Sequence, residues 1–204
     1  MFLVQSTPST SNTTYTDEAG VPRYSVNTSP YAYGTPTTTG IHRITQPDPS
    51  ASPRSALDLF AVDADLDLEP ASPPSAELAR IRWNILQSSI IDFAGRERKA
   101  RSWLRRANSL RANTKVVFTA QDGREYRWTR RDAAEMELRT NDASDALVAR
   151  FRTKTHVPTV SPTRPLAALE ILPQFEDMAD EILVTFVYCE NRRRRSSPTR
   201  RDSN

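Results

Sequence analysis

Apolar and polar residues alternate with a period of two along much of this chain, the pattern of strands with one face in a core and the other in water. It is clearest from Glu77, where Ala79, Ile81, Trp83 and Ile85 fall on one face and Leu78, Arg80, Arg82 and Asn84 on the other. Residues 88–93, 115–120, 125–129, 134–140, 146–153 and 166–172 read as further strands, with Tyr126 and Trp128 sharing one face and Leu147, Ala149 and Phe151 pointing inward. Between the second and third of these stands Gln121-Asp122-Gly123-Arg124. Asp-Gly between β-rich runs predicts a hairpin whose two turn positions both take positive φ. Upstream, residues 13–16 and 23–26 flank Asp17-Glu18-Ala19-Gly20 and predict another hairpin, and residues 37–45 read as a strand.

Two stretches depart from period two. Residues 98–108 place Ala100, Trp103, Leu104 and Ala107 at helical spacing, which predicts a helix with Arg98, Arg101 and Arg105 on its polar face. Residues 176–190 carry acids in the first turn, arginines after the last, and the stripe Met178, Ile182, Leu183, Phe186 and Val187, widened by Ala179, Val184, Tyr188 and Cys189. A helix this apolar has to be enclosed by protein, and it is too short to span a bilayer. The β-branched residues in it leave a strand as the competing reading.

Composition explains where the pattern stops. Of 15 prolines in 204 residues, ten precede residue 75 and five follow residue 157. Residues 47–76 are rich in Pro, Ser and Asp and read as a disordered insertion, whose middle (57–68) mixes apolar residues with acids as a docking segment would. Residues 192–204 read as a disordered basic tail, leaving one β-rich domain over 11–191. The reading is thus a mainly β fold, an antiparallel β-barrel or strongly curved sheet wrapped around a hydrophobic C-terminal helix, with a β-sandwich carrying a packed helix as the alternative.

Several phrases sharpen this: Thr37-Thr38-Thr39-Gly40-Ile41-His42-Arg43, Ala79-Arg80-Ile81-Arg82-Trp83, residues 118–128 (FTAQDGREYRW) and residues 180–190 (DEILVTFVYCE) with the arginines behind them. Together they resemble a domain family of unknown function abundant in mushroom-forming fungi, over residues 13–45 and 77–194. The layout also resembles the tubby C-terminal, LURP-one and scramblase-like superfamily. That resemblance implies a closed antiparallel barrel around a central C-terminal helix. It implies no activity, since the fungal family has no established catalytic residues to carry over, and lipid binding by tubby-like proteins is an analogy of fold.

The chemistry that composition excludes is broad. One cysteine, Cys189, rules out an intrachain disulfide, and two histidines, His42 and His156, with that cysteine cannot complete a zinc site alone. The five glycines stand apart, so no phosphate-cradling loop exists, and no nucleophile motif surrounds either histidine. No cofactor is implied. The opening MFLVQSTPST lacks the basic and apolar regions of a secretory signal, and no stretch reaches transmembrane length, which points to an intracellular protein, cytoplasmic or nuclear.

The charge distribution is the remaining signal. Net charge is only +3, but residues 92–131 hold twelve bases against four acids and residues 191–204 six arginines against one acid. The candidate anion-binding residues are Arg98, Arg101, Arg105, Arg106, Arg124 and Arg127, with Arg192, Arg193, Arg194 and Arg195 in the tail. Guanidinium groups suit bidentate contact with phosphate, although a solvated face has the same composition. Trp83, Trp103, Trp128, Tyr126 and Phe118 read as core. Ser196 and Ser197, just after the arginine run, read as phosphorylation points. The functional expectation is a non-enzymatic binding or scaffold module for an anionic partner, a lipid headgroup or an acidic protein surface. Nucleic-acid association through the tail is the alternative, and an enzyme with a dispersed site is the third.

Overall fold

The computed structural model describes residues 1–30, 37–45, 75–84, 87–107, 115–161 and 163–196. Within them the strands are β1 (Phe2–Gln5), β2 (Thr13–Thr16), β3 (Pro22–Thr28), β4 (Thr38–Ile44), β5 (Ser75–Arg82), β6 (Ile90–Phe93) and β7 (Arg96–Lys99), then, after a single-turn helix α1 (Ala100–Trp103), β8 (Arg105–Ala107), β9 (Lys115–Thr119), β10 (Glu125–Arg130), β11 (Glu135–Thr140), β12 (Leu147–Thr155) and β13 (Leu166–Ile171). A 3-10 helix (Pro173–Met178) leads into α2 (Ala179–Ser196).

All thirteen described strands form one antiparallel sheet in the order β7-β6-β5-β4-β3-β2-β1-β13-β12-β11-β10-β9-β8. Sequence neighbours are therefore spatial neighbours except at two places. The first strand joins the last, with Leu3 opposite Leu169. The sheet opens between β7 and β8, which are not hydrogen-bonded to each other. It is thus a curved sheet that stops short of a closed barrel, and a single sheet is not the two-sheet sandwich.

The seam is short and filled. Only Ala100–Leu104 separate the two edge strands, so their facing ends lie within roughly 22 Å. Trp103 stacks on Phe93 of β6 at 5.9 Å and meets Phe118 of β9 edge-on at 6.2 Å. Its indole Nε1 donates to Thr119 O at 3.2 Å, while Ala100 N donates to Ser89 O at 2.8 Å. One buried tryptophan thereby ties together strands from both sides of the opening.

This seam corrects the helix expected over 98–108. Ala94 and Gly95 take φ of 52° and 70°, a two-residue turn with both φ positive, which folds Arg96–Lys99 back onto β6 with Glu97 opposite Asp92. Ladder hydrogen bonds commit that segment to strand, and one helical turn remains. The same geometry had been expected at Asp122-Gly123, where only Gly123 has positive φ (82°). There Asp122 acts through its side chain, its Oδ1 accepting from Arg124 N at 2.9 Å and Oδ2 from the Tyr126 hydroxyl at 2.6 Å.

Inside the sheet lies α2. Ile182, Leu183, Val184, Phe186 and Val187 are wholly buried, as are Tyr15, Val26, Ile41, Ile81, Ile91, Phe118, Tyr126 and Leu138 from the strands around them. Period-two alternation turns one face of every strand toward this helix, so burial of both sets removes most of the apolar surface from water together. On β12 the inward pair is Val148 and Ala149, with Leu147 only half-buried. A register shift opposite Leu138/Arg139 inserts the extra residue there. The two buried indoles facing this core are matched: Trp128 Nε1 donates to Thr185 Oγ1 at 3.0 Å and Trp83 Nε1 to Thr39 Oγ1 at 2.8 Å.

Two boundaries also move. Ser75 and Ala76 already belong to β5, and the rest of the expected insertion, with its docking segment, lies outside the described residues. The helix continues to Ser196, so Arg192, Arg193, Arg194 and Arg195 are helical and not an irregular tail; residues 197–204 lie outside the described residues. β1 was not anticipated, because four residues among serines and threonines carry too little periodicity to detect.

Candidate functional site

The two ends of α2 are chemically opposite. At its start, Asp180 accepts from the Tyr24 hydroxyl at 2.7 Å and pairs with Arg43, and Glu181 takes Gln121 N at 3.0 Å, so acids sit where the helix dipole is positive. At its end four arginines follow Glu190 and Asn191. Arg193 and Arg194 turn back to Glu190, at 2.8 and 3.0 Å, and Arg194 also donates to Pro8 O at 3.0 Å. The Glu190 carboxyl is held below its ordinary value, since these guanidinium bonds outweigh the opposing effect of burial.

Arg192 and Arg195 are used differently. Arg192 lies over the Tyr188 ring at 5.9 Å and donates to its hydroxyl at 3.3 Å. Arg195 lies over the Trp83 ring at 4.7 Å. Trp83 and Tyr188 are stacked on one another, 5.4 Å apart and parallel to 1°. These two guanidinium groups, the two rings, Asn84, Gln87, Ser88, Ser89 and Arg101 line a cleft of about 480 Å³ beside the seam. α1 delivers Arg101 there: its backbone N donates to Ser88 Oγ at 3.1 Å, docking the start of that helical turn onto the loop before β6.

Electrostatically the cleft is one-sided. Among the described residues its lining holds three cations and no carboxylate. Among the described residues, Arg101 and Arg195 have no ion-pair partner. Partial burial lowers the Arg195 guanidinium below its ordinary value, while the residue stays exposed at the rim of the cleft. Burial raises the Tyr188 hydroxyl, with Arg192 and Arg106 pulling the other way, which puts Arg106 within electrostatic reach of the same region. Among the described residues the lining has guanidinium, amide and hydroxyl groups and no His, Cys, Asp or Glu. Its chemistry is hydrogen-bond donation to an anion.

The other expected site residues are dispersed. Arg98 lies over Trp103 at 5.2 Å, Arg105 pairs with Glu125, and Arg127 binds Asp145 at 2.6 Å and Asn141 at 3.0 Å. Arg124 is exposed at the β9–β10 turn. A hollow of about 400 Å³ gathers Arg98, Lys99 and Arg105, but it also contains Glu97. The structure therefore joins Arg101 to Arg192 and Arg195, and separates them from Arg98, Arg105, Arg124 and Arg127. Sequence reasoning missed Asn84, Gln87, Ser88 and Ser89, which carry no motif, and assigned Trp83 wholly to the core. Trp83 is indeed buried, at 6% exposure, but its edge forms the cleft floor with Tyr188.

Among the described residues there is no group of three or more His, Cys, Asp or Glu placed to hold a metal ion, and no helix is long and apolar enough to cross a membrane. His42 is half-buried on β4, opposite Ser25, and His156 is exposed. No curated protein and no solved structure matches the chain. The sequence signature of a family of unknown function, DUF6593, matches residues 8–195, a span that takes in the sheet from β2 onward, the seam and α2 as far as Arg195. A match over that much of the chain makes this protein a member of the DUF6593 family.

Proposed function

We propose that the protein is a binding module for phosphate-bearing anions, received in the cleft between Arg101 on α1 and Arg192 and Arg195 on α2. The observation that carries this reading is the convergence of three guanidinium groups, from two elements distant in sequence, on a concave surface whose described lining has no carboxylate. Guanidinium forks bind phosphate oxygens in pairs, and the partial desolvation of Arg195 strengthens such a contact relative to one in open water. The side-chain amides of Asn84 and Gln87 and the hydroxyls of Ser88 and Ser89 suit the polar remainder of a headgroup. The cleft offers no acid–base pair, which favours binding over catalysis.

Nucleic-acid binding by an extended arginine run is disfavoured, because the run is helical and Arg193 and Arg194 are engaged by Glu190.

Calorimetric titration with soluble inositol trisphosphate, beside co-sedimentation with phosphatidylcholine vesicles with and without phosphatidylinositol bisphosphate, tests the proposal. Binding of the soluble headgroup indicates a free or lipid-borne phosphate, and binding of anionic vesicles alone indicates a lipid. In either case Arg101→Ala and Arg195→Ala should each weaken binding about tenfold or more, since a hydrogen bond to a charged group contributes about 1.5–3 kcal/mol. No heat from inositol trisphosphate, together with equal sedimentation with neutral and anionic vesicles, overturns it.

A further inference from the structure

The sheet ends in two edges that cannot satisfy each other. Its thirteen described strands make twelve antiparallel pairings, an even number, so β7 and β8 point the same way. An antiparallel ladder directly between them is therefore excluded. A strand running the opposite way is antiparallel to either edge.

Register decides which backbone groups of β7 are free. In an antiparallel pair, successive residues face the partner and the opposite side by turns. Phe93 and Arg96 flank the two-residue turn and face each other with their N–H and C=O groups, as that hairpin class requires, and Arg98 faces β6 likewise. Ala100 N, donating to Ser89 O at 2.8 Å, keeps the same parity. Glu97 and Lys99 alternate with these residues and turn their N–H and C=O toward the opening. Lys99 O takes the Ser102 hydroxyl at 2.8 Å. The Glu97 N–H, the Glu97 C=O and the Lys99 N–H meet no strand.

Beside this edge lies the hollow of about 400 Å³ that holds Arg98, Lys99 and Arg105, walled by Trp103 of α1 and by Thr119 at the end of β9. It shares no residue with the Arg101 cleft. β7 carries three bases and one acid. Glu97 is paired with Arg82, whereas among the described residues Arg96, Arg98 and Lys99 have no ion-pair partner. Unused main-chain groups and unpaired bases thus run along the same four residues.

We propose that the open edge of β7 receives an acid-rich extended segment of a partner protein as an added antiparallel strand. Main-chain hydrogen bonds supply affinity in such an addition, and side chains at successive positions supply selectivity. Antiparallel pairing sets four residues of the segment, in chain order, opposite Lys99, Arg98, Glu97 and Arg96. Acids are favoured opposite the three bases and disfavoured opposite Glu97, because like charges directly across a ladder repel. A second copy of this chain is a poor occupant, since edge-to-edge pairing would set three bases against three bases. A nucleic acid could use the bases but has no ladder of N–H and C=O groups to offer Glu97.

Fluorescence anisotropy of a labelled peptide containing Glu-Glu-Thr-Glu, titrated with the full chain at low salt, tests the pairing. Methylating the threonine amide nitrogen removes the donor to Glu97 O without changing charge, and should weaken binding about tenfold or more. Methylating the amide of the second glutamate, which points away from β7, should weaken it by less than about threefold. Glu97→Pro deletes the N–H that faces the opening and spares the bonds that Arg96 and Arg98 make to β6, so it should also weaken binding about tenfold. Glu97→Ala keeps that N–H, removes the one acid, and should bind as tightly as the wild type or more so. Both variants lose the surface pair with Arg82, so that loss does not separate them. If Glu97→Pro melts well below the wild type, the two methylated peptides decide the matter on the unaltered chain. Absence of binding, equal loss from the two methylations, or equal affinity for a single-stranded RNA of the same charge overturns the proposal. Dimerisation in sedimentation velocity that excludes the peptide overturns it as well, by assigning the edge to a second copy.

Discussion

Replacing Phe186 tests the placement of α2 inside the sheet. Phe186 is wholly buried, with its ring 4.6 Å from that of Phe151 and 5.9 Å from that of Trp128. Phe186→Ala removes that ring from a site walled by strands on several sides, where little collapse is available. Lost transfer energy and the remaining cavity together should cost about 3–5 kcal/mol. Phe186→Leu refills most of the volume and should cost less. Phe186→Asp adds a charge to the cavity. A carboxyl there should have its folded-state pKa raised by about 3 units or more, because burial disfavours the anion. The sign of the pH dependence follows: the extra penalty is absent below the unfolded value of about 4, grows by about 1.4 kcal/mol per pH unit as pH rises, and levels off above the raised value. The alanine variant lacks this dependence. Equilibrium urea unfolding at pH 5 and pH 8 separates the two effects, and thermal melts should fall by about 2–4 °C per kcal/mol. If the aspartate variant does not fold at pH 8, the leucine and alanine variants still rank the site. The central placement is refuted if Phe186→Ala costs less than about 1 kcal/mol, or if Phe186→Asp melts with the wild type.

Two buried carboxylates should respond to pH in opposite directions. Glu137 is buried and binds Arg131 at 2.7 Å, Arg139 at 3.1 Å and Arg150 at 3.0 Å; burial raises its pKa, but the guanidinium bonds outweigh it and hold the value low. Its contribution is present above the unfolded pKa and is lost as pH falls through the folded one, so Glu137→Gln should destabilise by about 2 kcal/mol at pH 7 and much less near pH 3 by urea unfolding. Glu181 has one oxygen on Gln121 N and the other without a partner, and burial raises its pKa. Its charge opposes folding, so Glu181→Gln should leave stability at pH 8 unchanged or higher, and a loss above about 1 kcal/mol would contradict that. Burial pushes the Cys189 thiol up to about 12, so disulfide exchange with a chromogenic reagent at pH 8 should be far slower in the native chain than in urea; equal rates would show the thiol to be accessible.

Much of the sheet was legible one strand at a time. Ala79, Ile81 and Trp83 are buried as their alternation requires, and so are Tyr126 and Trp128, because a strand with one wet face has to show that period whatever its neighbours are. The apolar stripe of α2 likewise required enclosure before any neighbour was known. What no local pattern carries is how the pieces close. Arg98 and Lys99 fall within the helix expected over 98–108, yet pairing with β6 makes them strand, since ladder hydrogen bonds outweigh a weak local preference. The candidate site was partly legible for the same reason. Arginine can be counted in a sequence, but Arg101, Arg192 and Arg195 become one site only because the opening between β7 and β8 places α1 beside the end of α2, while Arg105 is drawn to Glu125 on β10 and Arg127 to Asp145 in the loop after β11. Period, composition and charge are properties of short stretches, and the chain alone determined them. Which charges are neutralised and which face an open cleft depends on contacts between residues more than a hundred positions apart, such as Arg43 with Asp180 and Arg195 with Trp83, and only the tertiary structure decided that.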